Sequence, residues 1–198
     1  MTTPTTAPTH PRRLRADAER NRARILNAAR TLFTQHGTHV SMDEVARHAQ
    51  VGIGTLYRHF PTKDAMVETA SQQRFGEILT YYHTISHNHP EPLEALHLLL
   101  TRIAEVETRD RGFATAHTHT NLGSQKPPSP LRENLETQLV QLTTQGQHQG
   151  TIRTDIHPTD ILPITCGLTA IAHHQTGDYR QYITITLDGL KPQQPTTN

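Results

Sequence analysis

The sequence predicts an all-α protein, with an N-terminal three-helix unit that carries a helix-turn-helix joined to a larger C-terminal helical domain. Three observations predict it. Apolar residues recur at helical spacing from about Asp17 to Leu190. Helix start and stop signals fall between these stripes. The one strand-like stretch, Ile183–Leu187 with its alternating threonines, has no second strand to pair with, so it too reads as helix.

Met1–His10 is rich in Thr and Pro and reads as a disordered tail, extended by basic residues to about position 16. Ile25, Ala28, Ala29, Leu32, Phe33 and His36 then form the stripe of a first helix, and Gly37 stands where a left-handed cap ends it. Ser41 and Glu44 have the spacing of a capping box, each side chain covering a free backbone donor. Val45, Ala46 and Ala49 supply the buried face of that second helix. A short third helix, about Ile53–His59, stops before Pro61, because proline disfavours helical geometry at Phe60. Thr62 can cap a fourth. Its stripe is Phe75, Ile78, Leu79, Tyr82 and Ile85, followed by Leu93, Leu96, Leu100 and Ile103 after Pro90, and by Leu131, Leu135, Leu139 and Leu142 after the Gly123–Pro130 loop. Gly150 ends that helix. Ile161, Ile164, Leu168 and Ile171 mark the next, and Tyr179, Ile183, Leu187 and Leu190 the last. The expected division is a basic tail at 1–16, a helix-turn-helix unit at 17–63, a larger body at 64–191 and a tail at 192–198.

At 198 residues the chain is long enough for a small head and a larger body, each with a core. No run approaches the roughly 18 apolar residues of a membrane span, and the Thr/Pro-rich start is not a signal core, so the expected location is cytoplasmic. Cys166, the single cysteine, rules out an intrachain disulfide and reads as a small buried residue. The net charge of +1 conceals an asymmetry. Residues 1–64 carry ten Lys/Arg against five Asp/Glu, while residues 65–198 carry nine against thirteen. A basic head on an acidic body points to a polyanionic partner for the head.

Ser41–Lys63 holds the informative motif. Two short helices separated by a tight turn make a helix-turn-helix. Ala46 is small enough for close helix approach, Val45, Val51 and Leu56 fill the space between, and the second helix keeps a polar outer face of a size that fits a DNA major groove. Gln50, at a turn position where glycine is common, has to take a positive φ at a cost on the order of 1 kcal/mol.

The run Thr55-Leu56-Tyr57-Arg58-His59-Phe60, followed by Lys63 beyond Pro61, resembles the signature of the TetR family, as do Ala28–Phe33 with Gly37 in the first helix. Gly150-Thr151-Ile152-Arg153-Thr154-Asp155 with Pro158 and Asp160 is similar to the turn before the penultimate helix in many members. The resemblance implies three DNA-binding helices and about six more that bind a small-molecule effector and form a homodimer. It implies a double-stranded, near-palindromic operator as partner and a repressor released by a largely apolar effector. By the same resemblance Ser41 is a phosphate-contacting cap residue, Tyr57 and His59 touch backbone phosphates, and Lys63 pairs with a phosphate. Ile53 and Gly54 lie on the recognition helix with Thr55 and Arg58, which are the candidates for base edges. Helix N-termini and lysines attract phosphate, and arginine can fork onto guanine. Arg12, Arg13, Arg15, Arg20, Arg22 and Arg24 are candidates for an arm in the adjacent minor groove.

In this reading the apolar stripes of the body enclose a ligand cavity, and Phe75, Tyr82, His83, His97, Phe113, His117, Asn121 and Leu139 are the candidates to line it, with histidine and tyrosine at its rim. Residues 158–174 and 179–190 are expected to form the dimer interface as a four-helix bundle. The 15 histidines raise a metal-sensing alternative. His83 and His87 have an i, i+4 spacing that can share a metal, but no carboxylate or cysteine completes a set and no H-E-x-x-H occurs. No metal or other cofactor is expected. No nucleophile motif is present, so an enzyme is not expected. An effector-independent DNA-binding protein is the other alternative, and it would lack the cavity.

Overall fold

The computed structural model describes residues 11–87, 91–112 and 129–192, and the regular elements among them are all helical. Three helices form the head: α1 (Pro11–His36), α2 (Met42–His48) and α3 (Ile53–His59). Five more follow among the described residues: α4 (Lys63–Ser86), α5 (Pro92–Arg109), α6 (Pro130–His148), α7 (Ile161–His174) and α8 (Tyr179–Leu190). Short 3-10 turns lie at Gly37–His39 and Pro158–Asp160.

The local signals act as their chemistry requires. Gly37 ends α1 at φ 67° and Gly150 follows α6 at φ 71°, values that glycine adopts without a Cβ clash. Thr62 accepts the Ala65 N–H at 3.0 Å and so caps α4. Tyr179–Leu190 is helical because Ile183, Leu187 and Leu190 share one buried face. One boundary differs from expectation. α1 begins at Pro11 and not near Asp17, so positions 11–16 are helical and not tail. Proline suits a first helical position, where the missing N–H would have no partner, and Arg, Leu and Ala propagate the helix.

There are two cores. In the head, Ile25, Ala29 and Phe33 of α1 pack with Val45 and Ala46 of α2, Leu56 of α3, and Met66, Val67 and Ala70 of α4. In the body, Ile78, Leu79, Tyr82 and Ile85 of α4 pack with leucines of α5 and α6 and with Leu168, Ile183 and Leu187 of α7 and α8. The head core thus runs into α4 as far as Ala70, past the boundary expected at Lys63. At 24 residues α4 is about 36 Å long and belongs to both cores.

A second tie joins head and body. Asp110, fully buried after α5, meets Arg30 Nε of α1 at 2.6 Å and accepts from Arg109 at 2.8 and 3.1 Å. Arg109 also forks onto Glu77 of α4 at 2.9 and 2.7 Å, and Arg102 reaches the same carboxylate. The Arg109 hydrogen bonds hold Glu77 below the usual carboxylate range and push Arg109 further up. Gly112 lies against the α1 backbone: a Cβ there would come within 2.5 Å of Phe33 C and Thr34 N.

The run from Gly150 to Asp155 is structural. Ile152 is buried against Gly146, the Arg153 N–H donates to Leu190 O at 2.8 Å, and the Arg153 guanidinium pairs with Asp155 while reaching Gly189 O at 3.3 Å. It therefore closes the C-terminal end of α8.

Candidate nucleic-acid interface and internal cavity

The capping box at Ser41 is complete. Ser41 Oγ accepts the Glu44 N–H at 3.2 Å, and the Ser41 N–H donates to Glu44 Oε2 at 2.7 Å. The Ser41 hydroxyl also donates to that carboxylate at 2.8 Å, and these bonds hold Glu44 below its ordinary value. Gln50 makes the turn at φ 53°, as its position requires. Two backbone hydrogen bonds hold it there: Gln50 N–H to Arg47 O at 3.1 Å and Val51 N–H to Ala46 O at 3.0 Å.

This turn aims α3 outward. Leu56 is completely buried and fastens the helix to the head core. Ile53, Gly54, Tyr57 and Arg58, at i, i+1, i+4 and i+5, form one exposed face, while Thr55 and His59 at its edges are half-buried. Ile53 and Tyr57 are large apolar side chains left 40% and 47% exposed, beyond what folding of the chain itself requires. A Cβ added at Gly54 would meet nothing within 4 Å. No packing constraint of the fold demands glycine there, and its effect is to leave the outer surface low for close approach of a partner.

Lys63 lies differently from a free surface lysine. Its Nζ donates to Val40 O at 2.9 Å and stands 5.2 Å from the centroid of the Phe33 ring. Burial pushes its pKa down. Lys63 therefore pins the start of α4 to the end of the α1–α2 connection, and any phosphate contact would share the ammonium with that carbonyl.

Between α4, α5, α6 and α7 lies a partly open cavity of about 300 Å³. Phe75 and Leu139 line it with Ile78, Ile103, Val106 and Leu135. The other expected lining residues lie elsewhere. Tyr82 is buried in the body core away from the cavity, and burial pushes its phenol up. His83 and His97 are exposed, because Tyr82 and Leu96 beside them take the inward positions. Phe113, His117 and Asn121 lie outside the described residues. The polar lining is Arg74, Glu107, Arg132 and Glu136 with Thr165, Cys166 and Thr169 of α7, in place of the histidine and tyrosine rim expected. Among the described residues no three His, Cys, Asp or Glu side chains gather as a metal site would need. No helix among them is long and apolar enough to cross a membrane.

Residues 25–70 match the model of the bacterial regulatory proteins, tetR family, and residues 91–192 match the C-terminal domain of SbtR-like transcriptional regulators. The chain belongs to the TetR family of transcriptional regulators. Among solved TetR structures, the transcription regulatory protein from Mycobacterium vanbaalenii is 31% identical with a TM-score of 0.65, over 90% of this chain and 99% of that one. SCO0520 from Streptomyces coelicolor is 28% identical, also at 0.65, over 87% and 99%. Among curated proteins, the HTH-type regulator SAUSA300_2515 of Staphylococcus aureus (strain USA300) is 32% identical over 101 residues, 50% of this chain and 55% of that protein. The chain spans about half the length of the curated relatives it matches.

Within this TetR head, sequence reasoning missed two arginines that act inward. Arg24 Nη2 donates to the carbonyls of Ala49 at 2.7 Å and Gln50 at 3.0 Å, clamping the turn. The Arg22 guanidinium stacks 4.9 Å from the Phe60 ring centroid. Arg20 pairs with Asp17 on the same helix. Arg22 and Arg24 are thus part of the head and not of a loose arm. The available signal was their place on a helix beside the buried Ile25 and Leu26, which keeps them within reach of the next elements.

Proposed function

We propose that this TetR-family regulator is a repressor that binds a near-palindromic operator as a homodimer and releases it when a small, largely apolar effector enters the body cavity. The observation that carries the reading is the course of α4. It starts at Lys63 within the head, and farther along the same helix Phe75 and Ile78 form one wall of the cavity. An occupant that favours one tilt of α4 biases the spacing of two heads that must lie about one DNA turn apart, roughly 34–36 Å.

Thr55 and Arg58 read base edges, Tyr57, His59, Ser41 and Lys63 contact phosphates, and Ile53 and Gly54 give the close approach. Selection of bound DNA from a random pool supplies the operator, and a ligand screen for its release tests the effector. Arg58→Ala and Thr55→Ala are expected to lower discrimination between operator and random DNA by roughly 1–3 kcal/mol for a good base contact. Lys63→Ala is expected to weaken both about equally and to reduce the salt slope by about 1. Unchanged discrimination removes Thr55 and Arg58 from base reading, and an unchanged slope removes Lys63 from the phosphates.

The homodimer uses α7 and α8. Ile161, Thr165, Leu168 and Ala172 turn inward and Gly167 and Ala170 lie on the outside, while Cys166, at the edge between them, also lines the cavity. Cys166 is thus exposed in the single chain, in contrast to the buried position expected. On α8, Tyr182 is 42% and Ile185 57% exposed. These faces pack as a four-helix bundle, with the small residues admitting close approach. Light scattering at micromolar concentration should give twice the chain mass, and a mass of one chain would overturn the arrangement.

A further inference from the structure

The cavity carries a charge pattern that defines what can occupy it. Its charged lining consists of two arginines and two glutamates, Arg74, Arg132, Glu107 and Glu136. Arg132 Nε and Glu136 Oε1 pair at 2.8 Å along α6 and are satisfied. Arg74 and Glu107 are not a comparable pair. Their closest atoms, Nη1 and Oε2, stand 3.7 Å apart, beyond hydrogen-bond reach. Arg74 is only 8% exposed, and its Nη1 is buried with no hydrogen-bond partner. A buried charged donor in this state is costly, so a group that accepts from it gains more than an ordinary surface hydrogen bond.

Behind Glu107 stands His173, with Nδ1 3.5 Å from Glu107 Oε1. Burial pushes the His173 imidazole below its ordinary value, Glu107 opposes this, and His174 and Arg74 add to the lowering. The charged lining, two arginines against two glutamates, is electrically balanced, and the Arg74 guanidinium is held there only by its 3.7 Å ion pair. A carboxylate would satisfy that donor but would bring an uncompensated negative charge next to Glu107, and an ammonium would repeat the problem beside Arg74.

We infer that the cavity selects an uncharged, largely apolar molecule with a carbonyl-type acceptor, which receives a hydrogen bond from the Arg74 guanidinium while its body lies against Phe75, Ile78, Ile103, Leu135 and Leu139. This rests on the effector reading above and adds the ligand's charge and the residue that recognises it. A wall of aromatic and aliphatic side chains with one directed donor is the usual build of a small-molecule site, and the volume is at the low end of about 300–1,000 Å³, which limits the occupant to a small one.

The experiment uses four naphthalene probes of similar shape: 2-acetylnaphthalene, 2-ethylnaphthalene, 2-naphthoate and 2-naphthylmethylammonium. Their affinities for the full chain are measured by titration, and release of the selected operator is measured separately. The ketone is expected to bind about tenfold tighter than the hydrocarbon, as for a hydrogen bond to a charged donor, and tighter than either ion. Arg74→Met should reduce the ketone-to-hydrocarbon ratio to about one. Should that variant unfold with Glu107 left alone, the double variant Arg74→Met/Glu107→Gln removes both charges and should give the same ratio. The inference is overturned if the naphthoate binds tightest, if the ammonium does, if ketone and hydrocarbon bind equally to the native chain, if no probe binds, or if the ratio survives loss of Arg74. Tight ketone binding with the operator still held would uphold the cavity's selectivity and sink the effector reading alone.

Discussion

Asp110→Ala is expected to destabilise the protein by about 3 kcal/mol, as for a broken buried ion pair. Asp110 has no exposed surface, and its carboxylate meets an arginine from each side, Arg30 of α1 and Arg109 of α5. Alanine removes the only carboxylate in contact with Arg30 among the described residues and opens space next to it. The loss is at the low end of the 3–5 kcal/mol typical of such breaks, since Arg30 is 28% exposed and Arg109 keeps its fork onto Glu77. Asp110→Asn retains the shape and some hydrogen bonding and should cost less. Urea unfolding at fixed protein concentration measures both. A loss under about 1 kcal/mol for alanine would mean that the clasp contributes as little as a surface ion pair. Because the clasp joins α1 to α5, the proposed effector response of operator binding should also be weaker in the same variant.

Leu56→Ala is the second large effect. Leu56 is fully buried under the recognition helix, and shortening a core leucine costs about 2–5 kcal/mol, part of it for the cavity left behind. With seven residues, α3 has little stability of its own and depends on this anchor. We expect affinity for every DNA sequence to fall together, together with a lower melting temperature of the head. Leu56→Met, which nearly conserves volume, should cost under about 1.5 kcal/mol and retain DNA binding. The contrast with Arg58→Ala is diagnostic: one variant removes the support of the exposed α3 face, the other a side chain proposed to read a base. If Leu56→Ala bound operator normally, α3 would not be held as described.

Much of the fold was legible because its signals are local. Ser41 with Glu44, Thr62 before α4, Gly37 and Gly150 after their helices, and the strained Gln50 each depend on residues within one or two turns. The outer face of α3 was legible for the same reason, since the spacing of Leu56 against Ile53, Tyr57 and Arg58 fixes which side is buried. The cavity was much less legible. Phe75 and Leu139 were found from apolar periodicity, but His83 and His97 were chosen for their chemistry and stand on the outer sides of their helices. Arg74 and Glu107 come from different helices, and a buried charge pair of this kind has no spacing that a sequence displays. The inward turn of Lys63 and the clamp of Arg24 are also long-range contacts, invisible until α1 and α2 are placed side by side.

The position of Gly112 bears on how such proteins can be recombined. The atoms a Cβ would strike there belong to the main chain of α1 and cannot rotate aside as a side-chain tip would. A chimera that joins this head to the sensing half of another regulator by cutting within α4 alone would leave that seam unmatched. The donor half must bring a glycine to the same place and an acid to face Arg30, or the two modules will sit at a different angle. For anyone building biosensors from these parts, the module boundary is therefore a surface with two seams and not a point in the sequence.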